Sequence, residues 1–196
     1  SKGLLDEARQ RARAAVEVLA PLAAEGLPIV GLEPSCVLTL RDEFLALLPG
    51  DAQAEAVAAA AQTFEAFVAA HAERFRALPW REAGRRVLLH GHCHQKALDG
   101  IAPSAGCLEA AGFAVEAVDG GCCGMAGSFG YEAEHYAVSV AMGERVLAPA
   151  VRAAPEAAVA AAGTSCRHQV ADLTGRAAQH PAVLLAEALG GDGPGA

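Results

Sequence analysis

Cysteines follow directly after apolar segments of this chain. Apolar runs at residues 28–32, 86–90, 113–118 and 157–162 have the length and composition of buried strands. Helical patterns separate these runs, and such alternation predicts an α/β fold with a parallel sheet and flanking helices. Loops that follow parallel strands lie at the carboxyl edge of the sheet, where open α/β folds bind ligands. We therefore expect four strand–cysteine loop–helix units to bring their cysteines to one edge.

The segments between the strands carry helical periodicity. The pattern predicts helices over residues 4–25, 37–48, 52–77, 95–111, 131–153 and 181–189, with a short helix after residue 166. The longest of these has a stripe at helical spacing that favours a core-facing side, formed by Phe64, Val68, His71 and Phe75. The helix that begins near residue 131 is expected to point its amino end at the loop before it, where its dipole favours negative charge.

An internal similarity links the two ends of the chain. Residues 18–36 and 146–166 both begin Val-Leu-Ala-Pro and both end Ser-Cys after a turn and an apolar run. A match at both ends favours a duplication. We interpret residues 1–50 as the tail of a first unit, 51–84 as a helical connector, 85–190 as a complete cysteine-rich domain and 191–196 as a disordered tail. On this interpretation the chain is a piece of a longer tandem protein, with a truncated first unit.

Charge and hydropathy exclude several classes of function. The net charge of −8 argues against a nucleic-acid surface. No apolar run reaches the length of a membrane span, and no signal peptide is recognisable, so a cytoplasmic location is expected, with a peripheral association with the inner membrane left open. Thiols stay reduced in that compartment. The six cysteines are therefore better explained by ligation than by disulfides.

The adjacent cysteines Cys122 and Cys123 are the most informative pair. Neighbouring side chains in extended backbone point in opposite directions, so only a tight glycine turn aims both at one centre. The surrounding glycines, including Gly124, supply that freedom. Adjacent thiolates are unusual for zinc, whereas a multi-iron cluster accepts them on different irons.

Other candidate residues lie in the remaining loops. Cys93 stands between His92 and His94, and we predict that Cys93 is a ligand, with the histidines acting as hydrogen-bond donors, proton carriers or ligands. Cys166 is expected at a helix start, with His168 close enough to hydrogen-bond the site. The repeat equivalent of Cys166 is Cys36, which either completes this site or belongs to the first unit. Cys107 lies inside a helical pattern and is interpreted as a core residue.

Four motifs together resemble a known family, the cysteine-rich CCG domain. The motifs are Glu33-Pro34-Ser35-Cys36, His92-Cys93-His94-Gln95-Lys96, Gly121-Cys122-Cys123-Gly124-Met125-Ala126-Gly127 and Thr164-Ser165-Cys166-Arg167-His168. This domain occurs in the heterodisulfide reductase B subunit, in the anaerobic glycerol-3-phosphate dehydrogenase C subunit and in lactate-utilisation iron–sulfur proteins. It also forms the C-terminal part of large FAD-linked oxidases that act on D-2-hydroxyacids, which residues 31–51 resemble most.

The resemblance implies electron transfer. A flavin domain elsewhere in the parent protein would oxidise a D-2-hydroxyacid such as lactate, glycolate or 2-hydroxyglutarate, and the iron–sulfur domain would pass electrons towards a quinone, a cytochrome or another acceptor. By position the ligands of a 4Fe–4S cluster, non-cubane in some relatives, are Cys93, Cys122, Cys123 and Cys166. The family pattern commonly ends in Cys-x-x-Cys, but Gln169 occupies the last position here, so Cys36 or a histidine would complete the set.

Two alternative functions stay open at this point. One is a zinc-bound structural or docking module, because some relatives are expected to hold zinc at a CCG site. The other is a thiol–disulfide reductase of the heterodisulfide type, although the chain lacks a Cys-x-x-Cys motif. The chain carries no flavin fingerprint and no strong general base, so it is not expected to oxidise a hydroxyacid by itself.

Overall fold

The structure, a computed structural model, describes residues 3–81 and 84–190. The chain divides into two compact units, Ser1–Phe64 and Glu65–Ala196. Within the described residues each unit has its own sheet, with two strands in the first and three in the second, and every strand pair is parallel. The α/β class with flanking helices is thus confirmed. The tail predicted at 191–196 lies outside the described residues.

In the first unit a long helix packs against a shorter one, and another short helix contacts a small parallel sheet. Its elements are α1 (Leu5–Ala24), β1 (Ile29–Gly31), α2 (Pro34–Val37), a 3-10 helix (Leu38–Leu40), α3 (Glu43–Leu47), α4 (Ala52–Ala60) and β2 (Ala61–Thr63). Helix α1 buries Ala12, Val16 and Ala20 in one cluster with Ala54 and Val57 of α4. This 3.6-residue spacing is what the amphipathic pattern predicted.

The helix predicted over residues 52–77 is wrong in its middle. Helix α4 ends at Ala60, and β2 follows it and pairs with β1. The chain then returns to helix in α5 (Phe64–Ala70) and α6 (Ala72–Arg76). Pairing between distant segments overrides the local helix preference of this alanine-rich stretch. Only Val68 of the predicted stripe is fully buried, and His71 is exposed.

The second unit is built on a sheet in the order β4-β3-β5. Its elements after α6 are β3 (Arg86–His90), α7 (Cys93–Leu98), α8 (Ala102–Ala110), β4 (Ala114–Ala117), a 3-10 helix (Phe129–Tyr131), α9 (Tyr136–Gly143), α10 (Leu147–Ala153), β5 (Ala158–Ala161), α11 (Thr164–Thr174) and α12 (Pro181–Ala188). The central strand β3 buries Val87, Leu88 and Leu89. A strand with neighbours on both sides reads as a continuous apolar run, which is why the sequence identified it.

Three predicted helices are shorter than the periodicity indicated. The segment 95–111 breaks into α7 and α8 at Gly100, whose φ of +74° is left-handed. The segment 131–153 breaks into α9 and α10, and Pro149 lies in the first turn of α10, where proline is tolerated. The segment 37–48 becomes the end of α2, a 3-10 turn and α3.

Every strand of the second sheet ends just before a cysteine. Cys93 follows β3, Cys122 and Cys123 follow β4, and Cys166 follows β5. Because these strands are parallel, their carboxyl ends share one edge. The expectation of four loops on one sheet edge holds for three, since Cys36 follows β1 of the other sheet. None of the helices formed by the described residues is both long enough and apolar enough to span a bilayer.

Candidate cysteine-ligated cofactor site

Three loops at the carboxyl edge of the sheet β4-β3-β5 carry the cysteines of the candidate site. Cys93 is the first residue of α7, and the backbone before it is extended at His92. Cys166 lies in the first turn of α11, after extended backbone at Gly163. Cys122 and Cys123 lie in the loop 118–128. The parallel register of the strands therefore fixes the positions at which the loops that carry these cysteines begin.

The thiols of these cysteines interact with one another in a chain. Hydrogen bonds from Cys123 and Cys93 lower the pKa of Cys122 despite its burial. The hydrogen bond to Cys122, burial and nearby negative charge raise the pKa of Cys93. Hydrogen bonds to Cys122 and Cys166, together with burial, raise the pKa of Cys123. The order of contact is thus Cys93, Cys122, Cys123 and Cys166.

Cys166 is the buried thiolate of this group. The hydrogen bond from Cys123 is the main cause that lowers its pKa to about 5; burial opposes this, and a hydrogen bond from His90, together with the charges of His90 and His92, adds to the lowering. A thiolate is the form of cysteine that binds metal. The lowered pKa of Cys122 and of Cys166 makes the group a soft donor set.

The burial of the four interacting cysteines decreases from Cys166 to Cys93. Cys166 and Cys123 are buried, Cys122 is half-buried and Cys93 is exposed. The site therefore runs from the interior beneath α11 to the protein surface at α7. An electron-transfer group needs this arrangement, because protein shields most of it while one edge stays accessible to a partner.

The glycine loop fits closely against α9. Gly124 has a φ of +100°, and a Cβ placed on it would overlap the carbonyl oxygen of Ser139. Its backbone N–H donates to the Cys122 Sγ at 3.3 Å. Gly124 thus lets the loop approach α9 and orients the first of the paired thiols. The sequence analysis assigned Gly124 only conformational freedom, whereas the structure shows that there is also no room for a side chain beside Ser139.

Gln169 anchors the same loop from α11. Its Nε2 donates to the carbonyl oxygen of Cys123 at 3.0 Å, and to the carbonyl and hydroxyl oxygens of Ser139, each at 3.1 Å. The side chain is 2% exposed. Gln169 occupies the position where the family pattern has its last cysteine, and here its amide ties loop, α9 and α11 together.

Lys96 holds the loop from the other side. Its ammonium donates to the carbonyl oxygen of Gly120 at 2.5 Å and to that of Gly121 at 2.9 Å. Both carbonyls lie immediately before Cys122. This lysine, which the sequence analysis quoted only as part of a motif, restrains the loop and places a positive charge on its backbone carbonyls.

His90 is the residue that sequence reasoning underestimated. It ends β3 and is 1% exposed, and its ring interacts with the Cys166 thiolate but has no oxygen or nitrogen partner. A ring nitrogen of His90 and the sulfur atoms of Cys123 and Cys166 lie within 4.8 Å of one another. The available signal was a histidine at the end of an otherwise apolar buried run, which is a costly position for an imidazole.

The other histidines occupy different environments. His92 is buried, and its Nδ1 accepts from the backbone N–H of His94 at 3.3 Å, which caps α7. His94 is half-buried. His168 is exposed, and its Nδ1 lies 2.6 Å from the Tyr131 hydroxyl. His92 also adjoins the loop before Cys166, because a Cβ on Gly163 would overlap its ring.

The remaining cysteines, Cys36 and Cys107, are not among the four thiols that interact with one another. Cys36 is exposed on α2 of the first unit, where it follows β1 as Cys166 follows β5. Cys107 is buried in α8, which confirms its interpretation as a core residue. Burial, followed by the nearby charge of Glu65, raises the pKa of the Cys107 thiol to about 12.

Helix α9 does not begin near residue 131, where we expected a helix N-terminus whose dipole would face the cysteine loop. The expected helix start near residue 131 is a 3-10 turn, and α9 begins at Tyr136. The loop meets α9 further along, since a Cβ on Gly143 would lie 3.1 Å from the Cys123 carbonyl oxygen. The side of α9 and its carboxyl end therefore support the loop.

The donor set fits a thiolate-bound metal or iron–sulfur cluster. Soft sulfur donors converge from three loops, a buried imidazole without an oxygen or nitrogen partner adjoins them, and a cavity of about 100 Å³ lies beside them. His90, Gly120, Gly121 and Cys122 contribute to the wall of that cavity. Zinc and iron–sulfur clusters both accept cysteine and histidine ligands.

Comparison with known proteins finds relatives among dehydrogenases. The chain is 32% identical over 193 residues to D-2-hydroxyglutarate dehydrogenase of Escherichia coli (strain K12), and 30% identical over 194 residues to that of Pantoea ananatis (strain AJ13355). It is 26% identical over 194 residues to the anaerobic glycerol-3-phosphate dehydrogenase C subunit of Escherichia coli (strain K12).

These alignments include nearly all of the chain but only part of each relative. They cover 96% of this chain, 18% of either D-2-hydroxyglutarate dehydrogenase and 48% of the glycerol-3-phosphate dehydrogenase C subunit. No family model and no solved structure matches the chain. The relatives are oxidoreductases by name, which supports a role as part of an oxidoreductase.

Proposed function

We propose that this chain is an iron–sulfur electron-transfer domain of a flavin-dependent D-2-hydroxyacid dehydrogenase or oxidase. The observation that carries the proposal is the thiol chain from Cys93 to Cys166, delivered by three parallel strands to one sheet edge. The similarity to D-2-hydroxyglutarate dehydrogenases supports the choice of parent enzyme.

The proposed ligands are Cys93, Cys122, Cys123 and Cys166, and the proposed group is a 4Fe–4S cluster. When bound, such a cluster accepts and releases single electrons. Cys36 remains a proposed fifth ligand. The exposed position of Cys93 supports electron exchange on that side.

The residues around the thiols would prepare the site for its group. Lys96 and Gln169 fix the loop on both sides of Cys122 and Cys123, so the paired thiols need little rearrangement on binding. Burial of Cys123 and Cys166 excludes water from the inner half of the site. His92, His94 and His168 are proposed to tune the site from its surroundings, as donors close to a ligand do.

The whole parent enzyme belongs to the proposal as well. An FAD-binding flavin domain or subunit would reduce this domain, which would reduce a quinone, a cytochrome or another acceptor. We propose residues 85–190 as the cofactor domain, residues 51–84 as its connector and residues 1–50 as part of a related first unit. The shared order of strand, Ser-Cys and helix start at Cys36 and Cys166 supports a tandem origin. A cytoplasmic location, or one peripheral to the inner membrane, completes the proposal.

Metal and acid-labile sulfide analysis of anaerobically purified protein tests the proposal. We expect iron with matching sulfide and broad visible absorption, all lost in Cys123→Ser. Cys107→Ala is the matched control, because Cys107 is equally buried but lies in α8, and it should keep its iron. Failure to bind iron and sulfide, even after reconstitution, would contradict the proposal.

A zinc-bound module is the second candidate. The mixed nitrogen and sulfur set of His90, Cys123 and Cys166 is a donor combination that zinc accepts. Zinc without sulfide in the same analysis would favour this function. If neither metal binds and the thiols cycle reversibly between reduced and disulfide forms, the thiol–disulfide reductase would be favoured instead.

A further inference from the structure

His90 occupies a position where an apolar residue would pack better. Val87, Leu88 and Leu89 precede it on β3, and all three are buried. The backbone of His90 pairs with Ala161 in the middle of the second sheet. A buried imidazole is unfavourable there unless its nitrogens find partners. The strand therefore ends in a buried polar side chain at a position where an apolar side chain would stabilise the sheet better.

The His90 ring adjoins two sulfur atoms and a small cavity. Its polar contact is with the Cys166 thiolate, and neither ring nitrogen has an oxygen or nitrogen partner. One ring nitrogen lies within 4.8 Å of both the Cys123 and the Cys166 sulfur atoms. The ring also lines the cavity of about 100 Å³ that Cys122 borders. Partners for the ring would come from a group bound between these side chains.

Other histidines near the site are already engaged. His92 Nδ1 accepts from the backbone of α7, and His168 Nδ1 pairs with the Tyr131 hydroxyl. His90 differs from them, because neither of its ring nitrogens has an oxygen or nitrogen partner and one of them lies beside the sulfur atoms of Cys123 and Cys166.

We propose that His90 is a direct nitrogen ligand of the metal centre proposed for Cys93, Cys122, Cys123 and Cys166, bonded to it beside Cys123 and Cys166. This inference rests on the proposed function, because it requires a metal at the cysteines. It assigns a mixed sulfur and nitrogen ligand set, which holds whether the metal is zinc or the iron of a cluster. A nitrogen ligand removes one negative charge relative to a thiolate, which raises the reduction potential of an iron–sulfur centre.

The first test compares Zn²⁺ affinity and stability of the metal-free full chain in His90→Leu. We expect Zn²⁺ binding, measured under reducing conditions against a competing chelator, to weaken at least about tenfold. We expect the melting temperature of the metal-free protein to stay the same or rise, because leucine suits the buried position. His71→Gln is the control, since His71 is exposed and bonds the Phe67 carbonyl, and it should change neither value.

The two measurements separate a ligand from a structural residue. Unchanged Zn²⁺ affinity in His90→Leu would overturn the proposal, and so would a parallel loss of affinity and metal-free stability. Wild-type protein is measured first with Zn²⁺ and with iron and sulfide. If it binds neither, the proposed function fails together with the inference, whereas binding by the wild type with unchanged His90→Leu affinity refutes the inference alone.

A spectroscopic test applies to the iron-loaded protein. With ¹⁵N-labelled histidine, pulsed electron paramagnetic resonance of the paramagnetic cluster should show one nitrogen coupling of the size expected for a direct bond. This coupling should vanish in His90→Leu and persist in His71→Gln. A coupling no larger than that of a hydrogen-bonded nitrogen would overturn the assignment as ligand.

Discussion

The side-chain amide of Gln169 donates a hydrogen bond of 3.0 Å to the carbonyl oxygen of Cys123. The same nitrogen bonds Ser139 of α9, so one buried amide connects α11, α9 and the cysteine loop. Truncation would leave several buried acceptors without a donor. Each such loss costs about 1–3 kcal/mol.

Gln169→Ala should therefore lower the free energy of unfolding by about 2 kcal/mol or more and make the cofactor easier to remove. Urea unfolding of the metal-free chain and the rate of iron loss to a chelator measure the two effects. Glu109→Ala, at an exposed position of α8, is the control and should stay within about 0.5 kcal/mol of wild type. Equal stability of Gln169→Ala and the control would show that the amide is dispensable.

Two glycines of the cysteine loop should respond differently to alanine. Gly124 combines a φ of +100° with backbone contact to Ser139, whereas a Cβ on Gly121 meets nothing within 4 Å. Gly124→Ala should destabilise the protein by about 2 kcal/mol or more and reduce iron content. Gly121→Ala should leave both nearly unchanged. Thermal unfolding and iron analysis of the two variants, side by side, check the difference, and similar behaviour of the pair would contradict it.

Lys96 should set the reduction potential of the iron-loaded protein. Its ammonium lies on the carbonyls of Gly120 and Gly121, beside a site of negative charge. Lys96→Met removes a cation that favours the reduced, more negative cluster, so the potential should fall. A redox titration followed by visible or paramagnetic resonance spectra measures it. Lys96→Arg should retain most of the wild-type value, and Arg74→Met, at an exposed position of α6, controls for loss of a charge alone. A potential unaltered in Lys96→Met would argue against this role.

The sequence predicted β3 and β5 well because these two strands are buried over most of their length. The run Val87, Leu88 and Leu89 has no polar interruption, and its cysteine follows at once. The strand Ala61–Thr63 was missed because its own residues sit in helix-favouring sequence. It becomes extended only through pairing with Ile29–Gly31, a long-range contact that no local pattern encodes.

The same limit applies to the candidate site. Motifs identified the cysteines, because their residue type and glycine context are local features. The contacts of His90, Lys96 and Gln169 depend on strand register and on how α9 and α11 pack. His90 faces the thiols because β3 ends beside β5 at Ala161. Because these contacts form only in the tertiary structure, the spacing of residues in the sequence could not identify His90, Lys96 and Gln169 as parts of the site.

Cysteine alkylation should divide the thiols by environment. In the metal-free, reduced protein Cys36 and Cys93 are both exposed. Cys36 should react readily with iodoacetamide, and Cys93 more slowly, because its hydrogen bond to Cys122 raises its pKa. Cys107 should not react, because it is 2% exposed and its pKa is raised to about 12. At pH 8 only about one molecule in ten thousand would carry this thiolate. Peptide mass spectrometry after timed alkylation gives the order, and fast labelling of Cys107 in folded protein would contradict it.

Metal loading adds a test of ligand membership to the same experiment. Bound metal should protect Cys93 from alkylation, since Cys93 is a proposed ligand. Cys36 would be protected only if it is the fifth ligand. Unchanged labelling of Cys36, with Cys93 protected, would remove Cys36 from the site. Loss of iron in Cys36→Ser would instead support its membership.

The pair Tyr136 and Asp172 gives a prediction on pH dependence. The Tyr136 hydroxyl donates to Asp172 Oδ2 at 3.1 Å, and this hydrogen bond, with the carboxylate charge, raises the pKa of Tyr136. A raised pKa means that the folded state holds the proton more tightly than the unfolded state. The stabilisation is therefore complete below the unfolded tyrosine pKa of about 10 and is lost as pH rises through the folded value.

Ultraviolet titration of tyrosinate measures this shift directly. The chain has two tyrosines, so Tyr131→Phe isolates the signal of Tyr136. In that background Asp172→Asn should move the Tyr136 transition to lower pH, because the amide carries no charge to oppose tyrosinate formation. Glu134→Gln removes an exposed carboxylate and serves as the control for net charge. A Tyr136 transition that is the same with Asp172 and with its amide would show that the hydrogen bond does not persist in solution.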